Sequence, residues 1–377
     1  MAKTSLLLGL LTLAAAQTTD VKFVQGDPAR FKYIDMKTPL SGPCDVSEGT
    51  DGLIYVQELL ANKIVRYNQH TGELTEYDIP FTVPQLANLT LPLPGNAKAA
   101  FLTCAIRNGF DGKMYFSNGN RNQLVQHDTT TGTTKVFTPP GPLQPLGNLE
   151  PLNDVTTAPD GVYFSQTTGN VITKFDYKTH EFKNFQIPTP LSNPVGMYYA
   201  SDGGIWFLEF LGQKVGRLDR KTGRIQEFPV PPSATGPVVM RAETTDSKTG
   251  DKLLWFASVV GGGLGSINER TKEILFYPEN VASNAVENAQ DYQNNVWVSH
   301  LAQNTLGVFN PTKKNYTEIV MPGSVVGAPV GVPVYGGSGI YCKPVGNPFT
   351  RGTGNAIWFT QLTANRLVRF DLDGLVF

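Results

Sequence analysis

The chain has 377 residues, 31 of them basic and 32 acidic, for a formal net charge of −1. A balance this close to zero lacks the electrostatic footprint of a nucleic-acid binder or of a protein drawn to an anionic membrane surface. With 38 glycines, 27 prolines, 21 phenylalanines and 14 tyrosines, the composition suits many short strands and turns, and no stretch sustains a helical period.

Taken in chain order, residues 1–16 stand apart from everything that follows. Lys3 gives a positive start, Leu6 to Leu13 an apolar run, and Ala14-Ala15-Ala16 a small-residue cleavage site. This is the pattern of a signal peptide, so the mature chain is expected to begin near Gln17 and to enter the secretory pathway. The competing reading is a buried N-terminal helix or strand. The run is too short to span a bilayer, and no later segment approaches the required length.

From Gln17 onward the sequence repeats one phrase. Its clearest copy is Asn193 to Pro232. Val195 to Tyr199 is a short apolar strand, Ser201-Asp202-Gly203-Gly204 a turn, and Ile205 to Leu208 a β-branched and aromatic strand. Lys214 to Asp219 alternates apolar and polar residues, and Arg224 to Phe228 leaves as a fourth strand before prolines that cannot join a ladder. Copies carry the marker aromatics Tyr55, Tyr115, Tyr163, Trp206, Trp255, Trp297 and Trp358, at intervals of about 42 to 61 residues. Seven units of four antiparallel strands predict an all-β, seven-bladed β-propeller as a single domain over residues 17–377. The last unit lacks a fourth strand, while Phe31 to Met36 near the N-terminus is unmatched. That N-terminal strand is expected to complete the last blade and close the ring.

Three insertions interrupt the repeats: residues 81–100, 139–151 and 322–353. They read as functional covers or as decoration. Asn88-Leu-Thr90 and Asn315-Tyr-Thr317 are glycosylation acceptors in a secreted chain. Cys44 and Cys104 sit at matching offsets before Tyr55 and Tyr115, and Cys342 lies near the same place in the closing blade. In an oxidising compartment one bridge among these three and one free thiol is expected; three buried thiols are the alternative.

In a propeller the innermost strands ring a central channel, one end of which is the default ligand site. Three residues after each marker aromatic come Glu58, Asn118, Gln166, Glu209, Ser258, His300 and Gln361, all polar. They are either turn caps or the lining of a pocket, and we take them as lining. Glu58, Glu209 and His300 can move a proton or hold a metal, and the other four can bind substrate. First-strand positions add Asn153, Asp154, Arg241, Glu287, Asn288 and Lys343. Arg241 is suited to orienting a carbonyl or anionic oxygen, with Glu287 as its partner; the reading set ahead of this one is a structural ion pair across neighbouring blades. His70, His127 and His180 fall in or beside outer turns and are expected at the solvent.

The phrase Asp202-Gly-Gly-Ile-Trp206-Phe-Leu-Glu209, followed by Lys214-Val-Gly-Arg-Leu-Asp219 and Thr222-Gly-Arg-Ile-Gln-Glu-Phe-Pro229, resembles the streptogramin B lyase family of seven-bladed propellers over nearly the whole mature chain. That resemblance implies a magnesium ion with histidines and glutamates at the channel mouth, opening a cyclic depsipeptide ester by elimination. The family's His-Gly opening of the inner strand is absent here: the blades read Pro43-Cys44-Asp45, Leu152-Asn153-Asp154 and Pro194-Val195-Gly196. The secreted, insertion-rich form is also similar to fungal hetero-Diels-Alderases of tropolone sesquiterpenoid biosynthesis. This implies a cofactor-free joining of a tropolone quinone methide to a humulene-type sesquiterpene, small-molecule polyketide and terpenoid partners. Three classes follow: a metal-independent cyclase using His300, Glu58, Glu209 and Arg241; a magnesium-dependent lyase or lactone hydrolase drawing on Glu58, Glu209, Asp154 or Glu287; and a secreted binding propeller without chemistry.

Overall fold

The computed structural model describes residues 19–80, 104–118, 122–140, 152–279, 284–300, 303–322, 340–342 and 355–377. The signal segment, Asn88, Lys343 and nearly all of the three insertions lie outside these residues. The described strands form seven sheets arranged as a seven-bladed β-propeller. Blade four shows the unit: Pro194–Tyr199, Ile205–Glu209, Lys214–Leu218 and Ile225–Pro229, hydrogen-bonded in that order and antiparallel throughout. The first strands of neighbouring blades touch one another all the way round, from Pro43–Glu48 of blade one to Ile340–Cys342 of blade seven and back. This ring of innermost strands bounds the central channel.

The repeated phrase has a physical reason. Each marker aromatic is buried between its own blade and the next, and its polar end needs a partner there. Asp51 accepts from the Tyr55 hydroxyl at 2.8 Å, Asp111 from Tyr115 at 2.8 Å, Asp202 from Trp206 Nε1 at 3.2 Å and Asp291 from Trp297 Nε1 at 2.8 Å. In these blades the turn aspartate is thus the cap of the aromatic that follows it, whereas Trp255 uses Thr244 at 2.7 Å. The apolar core is correspondingly divided into inter-blade layers: Trp206, Leu208 and Val215 of blade four pack with Met240, Leu254 and Phe256 of blade five.

Ring closure follows the expected route. Phe31–Asp35 pairs antiparallel with Arg366–Asp371 and supplies the outer strand of blade seven. A second N-terminal strand was not foreseen: Asp20–Gln25 adds in parallel to Asn315–Val320, making blade six five-stranded. Its only sequence signal is a short alternating run, and a parallel partner nearly 300 residues away leaves no local trace. Cys44 and Cys104 form a disulfide with Cα atoms 5.6 Å apart, tying blade one to the entry of blade two. Cys342 ends the first strand of blade seven. Asn315 opens a strand and is half-buried. His70 and His180 are exposed as expected, but His127 is not. It lies inside a strand with its ring 4.7 Å from that of Tyr77, and burial holds its pKa down at about 4. The turn lies one residue further on, at Asp128, so the strand keeps the imidazole in the inter-blade layer.

Candidate functional site

Register breaks in the innermost strands build the site. In blade one Pro43 faces Glu58 and Val46 faces Val56, so two residues stand opposite one. Blades three, four, five and six break at the same level. A bulge lifts a side chain out of the pleat. The lifted or flanking residues are Asp45, Asp154, Arg241 and Glu287, and blade two adds Arg107 from its short first strand Ile106–Asn108. Blade four offers Gly196 instead, where a Cβ would meet Val238 O at 2.4 Å and Val239 Cα at 2.5 Å. The missing side chain lets blade five come close.

These residues meet both between neighbouring blades and across the ring. Arg241 grips Asp154 with two prongs, Nη1 to Oδ2 at 2.7 Å and Nη2 to Oδ1 at 2.8 Å, across the ring from blade five to blade three. It also lies 3.7 Å from Glu287 and 3.9 Å from Asp45. Arg107 pairs with Asp45 at 2.8 Å. Both aspartates hold the next blade as well: Asp45 accepts from Ile106 N at 3.0 Å and Asp154 from Met197 N at 2.6 Å. Burial raises the Asp154 carboxyl to about 7 against the Arg107 charge and the Met197 amide; its two-pronged contact with Arg241 is the geometry of a carboxylate. Burial pushes Glu287 well above the usual carboxylate range, with Asp45 and Asp154 adding to it and Arg107 opposing. Burial thus favours the protonated form of Glu287 beside the two ion pairs, Asp45 with Arg107 and Asp154 with Arg241. Arg107 Nη2, Arg241 Nε and Glu287 Oε2 are buried without a hydrogen-bond partner among the described residues.

The structure brings Arg241, Glu287 and Asp154 together, with Asn288 holding Arg241 N at 3.0 Å. The second-strand ring is built differently. Each member ends its strand, is buried, and engages its own surroundings blade by blade. Asn118 lies 3.4 Å from Gln123, Gln166 2.7 Å from Thr173, Ser258 2.8 Å from the Thr235 carbonyl, and Gln361 accepts from Arg366. Glu58 lies beside Lys63 and Glu76, and burial lifts it to about 7. Glu209 lies beside Lys214 and Glu227, and burial followed by Glu227 lifts it to about 7. His300 Nε2 is 2.9 Å from Glu279 and Nδ1 3.5 Å from Glu318; burial lowers its pKa, but the two carboxylates prevail and raise it to about 9. Glu58, Glu209 and His300 thus sit in three blades with separate partners and do not share one cluster. Asp45 and Arg107 escaped the sequence reading. The dipeptide Asp-Val, at Asp45-Val46 and Asp154-Val155, was the available signal for the first; Arg107 had none.

Residues 91–277 match the model of the Virginiamycin B lyase family. No curated protein matches the chain. Among solved structures, virginiamycin B lyase from Staphylococcus aureus superposes with a TM-score of 0.68 at 20% identity, covering 91% of this chain and 99% of that one. A streptogramin B lyase gives 0.68 at 19% identity over 90% of this chain and 97% of its own. A catalytically inactive histidine-to-alanine variant of the Staphylococcus aureus enzyme with quinupristin gives 0.67 at 20%, over 91% and 99%. At these identities the likeness shows the fold.

Proposed function

Taking the chain as a virginiamycin B lyase-like β-propeller, we propose that it is a metal-independent cyclase of the hetero-Diels-Alder type, acting on a small molecule held at the bulge ring of the channel. The observation that carries this is the buried cluster of Arg107, Arg241 and Glu287 around Asp45 and Asp154, in which Arg107 Nη2, Arg241 Nε and Glu287 Oε2 have no hydrogen-bond partner among the described residues and the last two face each other only at 3.7 Å. An oxygen-bearing substrate would find two cationic donors and one carboxylic acid there. Glu287 protonates a benzylic hydroxyl, the C–O bond breaks and water leaves. The adjacent ring hydroxyl then returns its proton to the Glu287 carboxylate, giving a quinone methide and the acid restored. The guanidiniums polarise the quinone methide oxygen, and the channel holds it against an alkene such as a humulene-type sesquiterpene. Secretion within a fungal natural-product pathway belongs to the same proposal, and the Cys44–Cys104 bridge supports an oxidising compartment.

The magnesium ion that the lyase likeness implies does not fit the donor set found here. Asp45 and Asp154 are each engaged by a guanidinium, and a dication among Arg107 and Arg241 would meet two like charges. Glu58 and Glu209 end the second strands of blades one and four, each beside its own lysine. The family match over residues 91–277 nevertheless keeps a C–O lyase or lactone hydrolase as the second reading. Incubating purified protein with an ortho-hydroxybenzyl alcohol of the tropolone type and humulene, with and without chelator, tests the proposal. Glu287→Gln should lower conversion by roughly 100-fold or more with an unchanged circular dichroism spectrum. Chelator-sensitive conversion would favour the lyase, and ligand binding without turnover would leave a binding propeller.

A further inference from the structure

The repeat exposes a second site, away from the channel, when equivalent positions are compared. In blade one, Glu58 ends the second strand, Lys63 opens the third, and Glu76 lies on the fourth opposite Val65. Blade four repeats this with Glu209, Lys214 and Glu227 opposite Gly216. In both, the lysine supplies the cation: Lys63 is 3.6 Å from Glu76 and Lys214 3.0 Å from Glu227. In blade six the same three positions are His300, Thr305 and Glu318, the last opposite Gly307. The lysine has become a threonine, and a second carboxylate, Glu279, arrives from the end of blade five.

Two further features mark this position. Both Glu318 oxygens are buried without a hydrogen-bond partner among the described residues, Oε2 lying 3.5 Å from His300 Nδ1, and the residue is 1% exposed. Gly307 opens room that the acids share with a valine: a Cβ there would stand 2.6 Å from Val298 Cγ1, 2.7 Å from Glu318 Oε1 and 2.9 Å from Glu279 Oε1. In blades four and five the equivalent glycines, Gly216 and Gly265, instead make room for the rings of Phe207 and Phe256. Blade six places the smaller Val298 in that row, and the two carboxylates share the space with it. His300, Glu279 and Glu318 offer one nitrogen and two oxygens within 4.8 Å of one another.

We propose that Glu279, His300 and Glu318 form a structural site for a first-row divalent cation, with zinc the first choice, stapling the end of blade five to blade six. The ion displaces the His300 proton on binding, so that two carboxylates and a neutral imidazole balance a 2+ charge, and a mixed nitrogen and oxygen set suits zinc. The ion replaces the lysine of blades one and four.

The full-length protein should be stripped with chelator, dialysed against zinc, and assayed for bound metal and thermal midpoint. The expected result is one zinc per chain with a midpoint several degrees above the stripped form. Glu318→Gln should weaken zinc binding about 10-fold or more. Thr305→Lys restores the arrangement of blades one and four, so it should fold, lose zinc uptake and melt at the same midpoint with or without zinc. Absence of zinc from the wild type, or equal uptake and equal midpoint shifts in all three proteins, would overturn the site.

Discussion

Glu58 and Glu209 show how burial at one residue becomes a property of the whole chain in solution. Each carboxyl titrates near 7 in the folded state because burial disfavours its charge, against roughly 4.3 when unfolded. Between those values the folded protein binds a proton that the unfolded chain has released, so stability is full below about pH 4.3 and falls as pH rises through 7. Replacing Glu58 by Gln keeps the shape and removes the titration. Denaturant unfolding across pH 5 to 8 should then show a wild-type loss on the order of 1–3 kcal/mol per group that Glu58→Gln reduces; an unchanged slope would mean the carboxyl is not buried in solution. These residues also mark the limit of reading a sequence. Their equivalence round the ring was legible from the marker aromatics, yet equivalence by repeat puts residues at the same radius of different blades, not in contact. Arg241 and Glu287 were legible as a pair because adjacent blades bring first strands together, whereas the Asp154 contact crosses the ring. No periodicity encodes that crossing.

At the scale of the strand, the bulges decide what reaches the channel. A regular ladder would alternate side chains and leave only every second residue facing inward. The extra residue in blades one, three, five and six turns Asp45, Asp154, Arg241 and Glu287 toward one another. Bulges leave little sequence trace, which is why the strands were foreseen and their register was not. Gly196 tests this arrangement without touching a charged group. Its φ is not positive, and the constraint is the backbone of blade five at 2.4 to 3.0 Å from a Cβ. Gly196→Ala should push the segment Val238 to Met240 outward and move Arg241 off Asp154. The expected cost is roughly 1–3 kcal/mol in denaturant unfolding, together with a fall in conversion larger than stability alone explains. A variant equal to wild type in both would show that the close approach is not required.

For the molecule as a whole, the question is how a ring of seven sheets is kept closed. Blade seven has its three inner strands from the C-terminal end and its outer strand from Phe31–Asp35, so strands from both ends of the described chain meet in one sheet. Asp20–Gln25 extends that hold to blade six, and Gly26 N donates to Val320 O at 2.9 Å where the chain crosses between them. Phe31 fills the joint, 4.7 Å from Phe370. The two strands do different work. Removing residues 19–26 takes away a peripheral strand and leaves the ring closed, so the protein should remain folded with a lower midpoint. Removing residues 19–36 exposes the edge of Arg366–Asp371 and opens blade seven, which an all-β ring tolerates poorly because an unpaired edge recruits other chains. Size-exclusion chromatography and thermal unfolding of both truncations separate the two roles: the short one monodisperse and cooperative, the long one aggregated or without a cooperative transition. Equal behaviour of the two would place closure elsewhere, with the Cys44–Cys104 bridge as the next hold to cut.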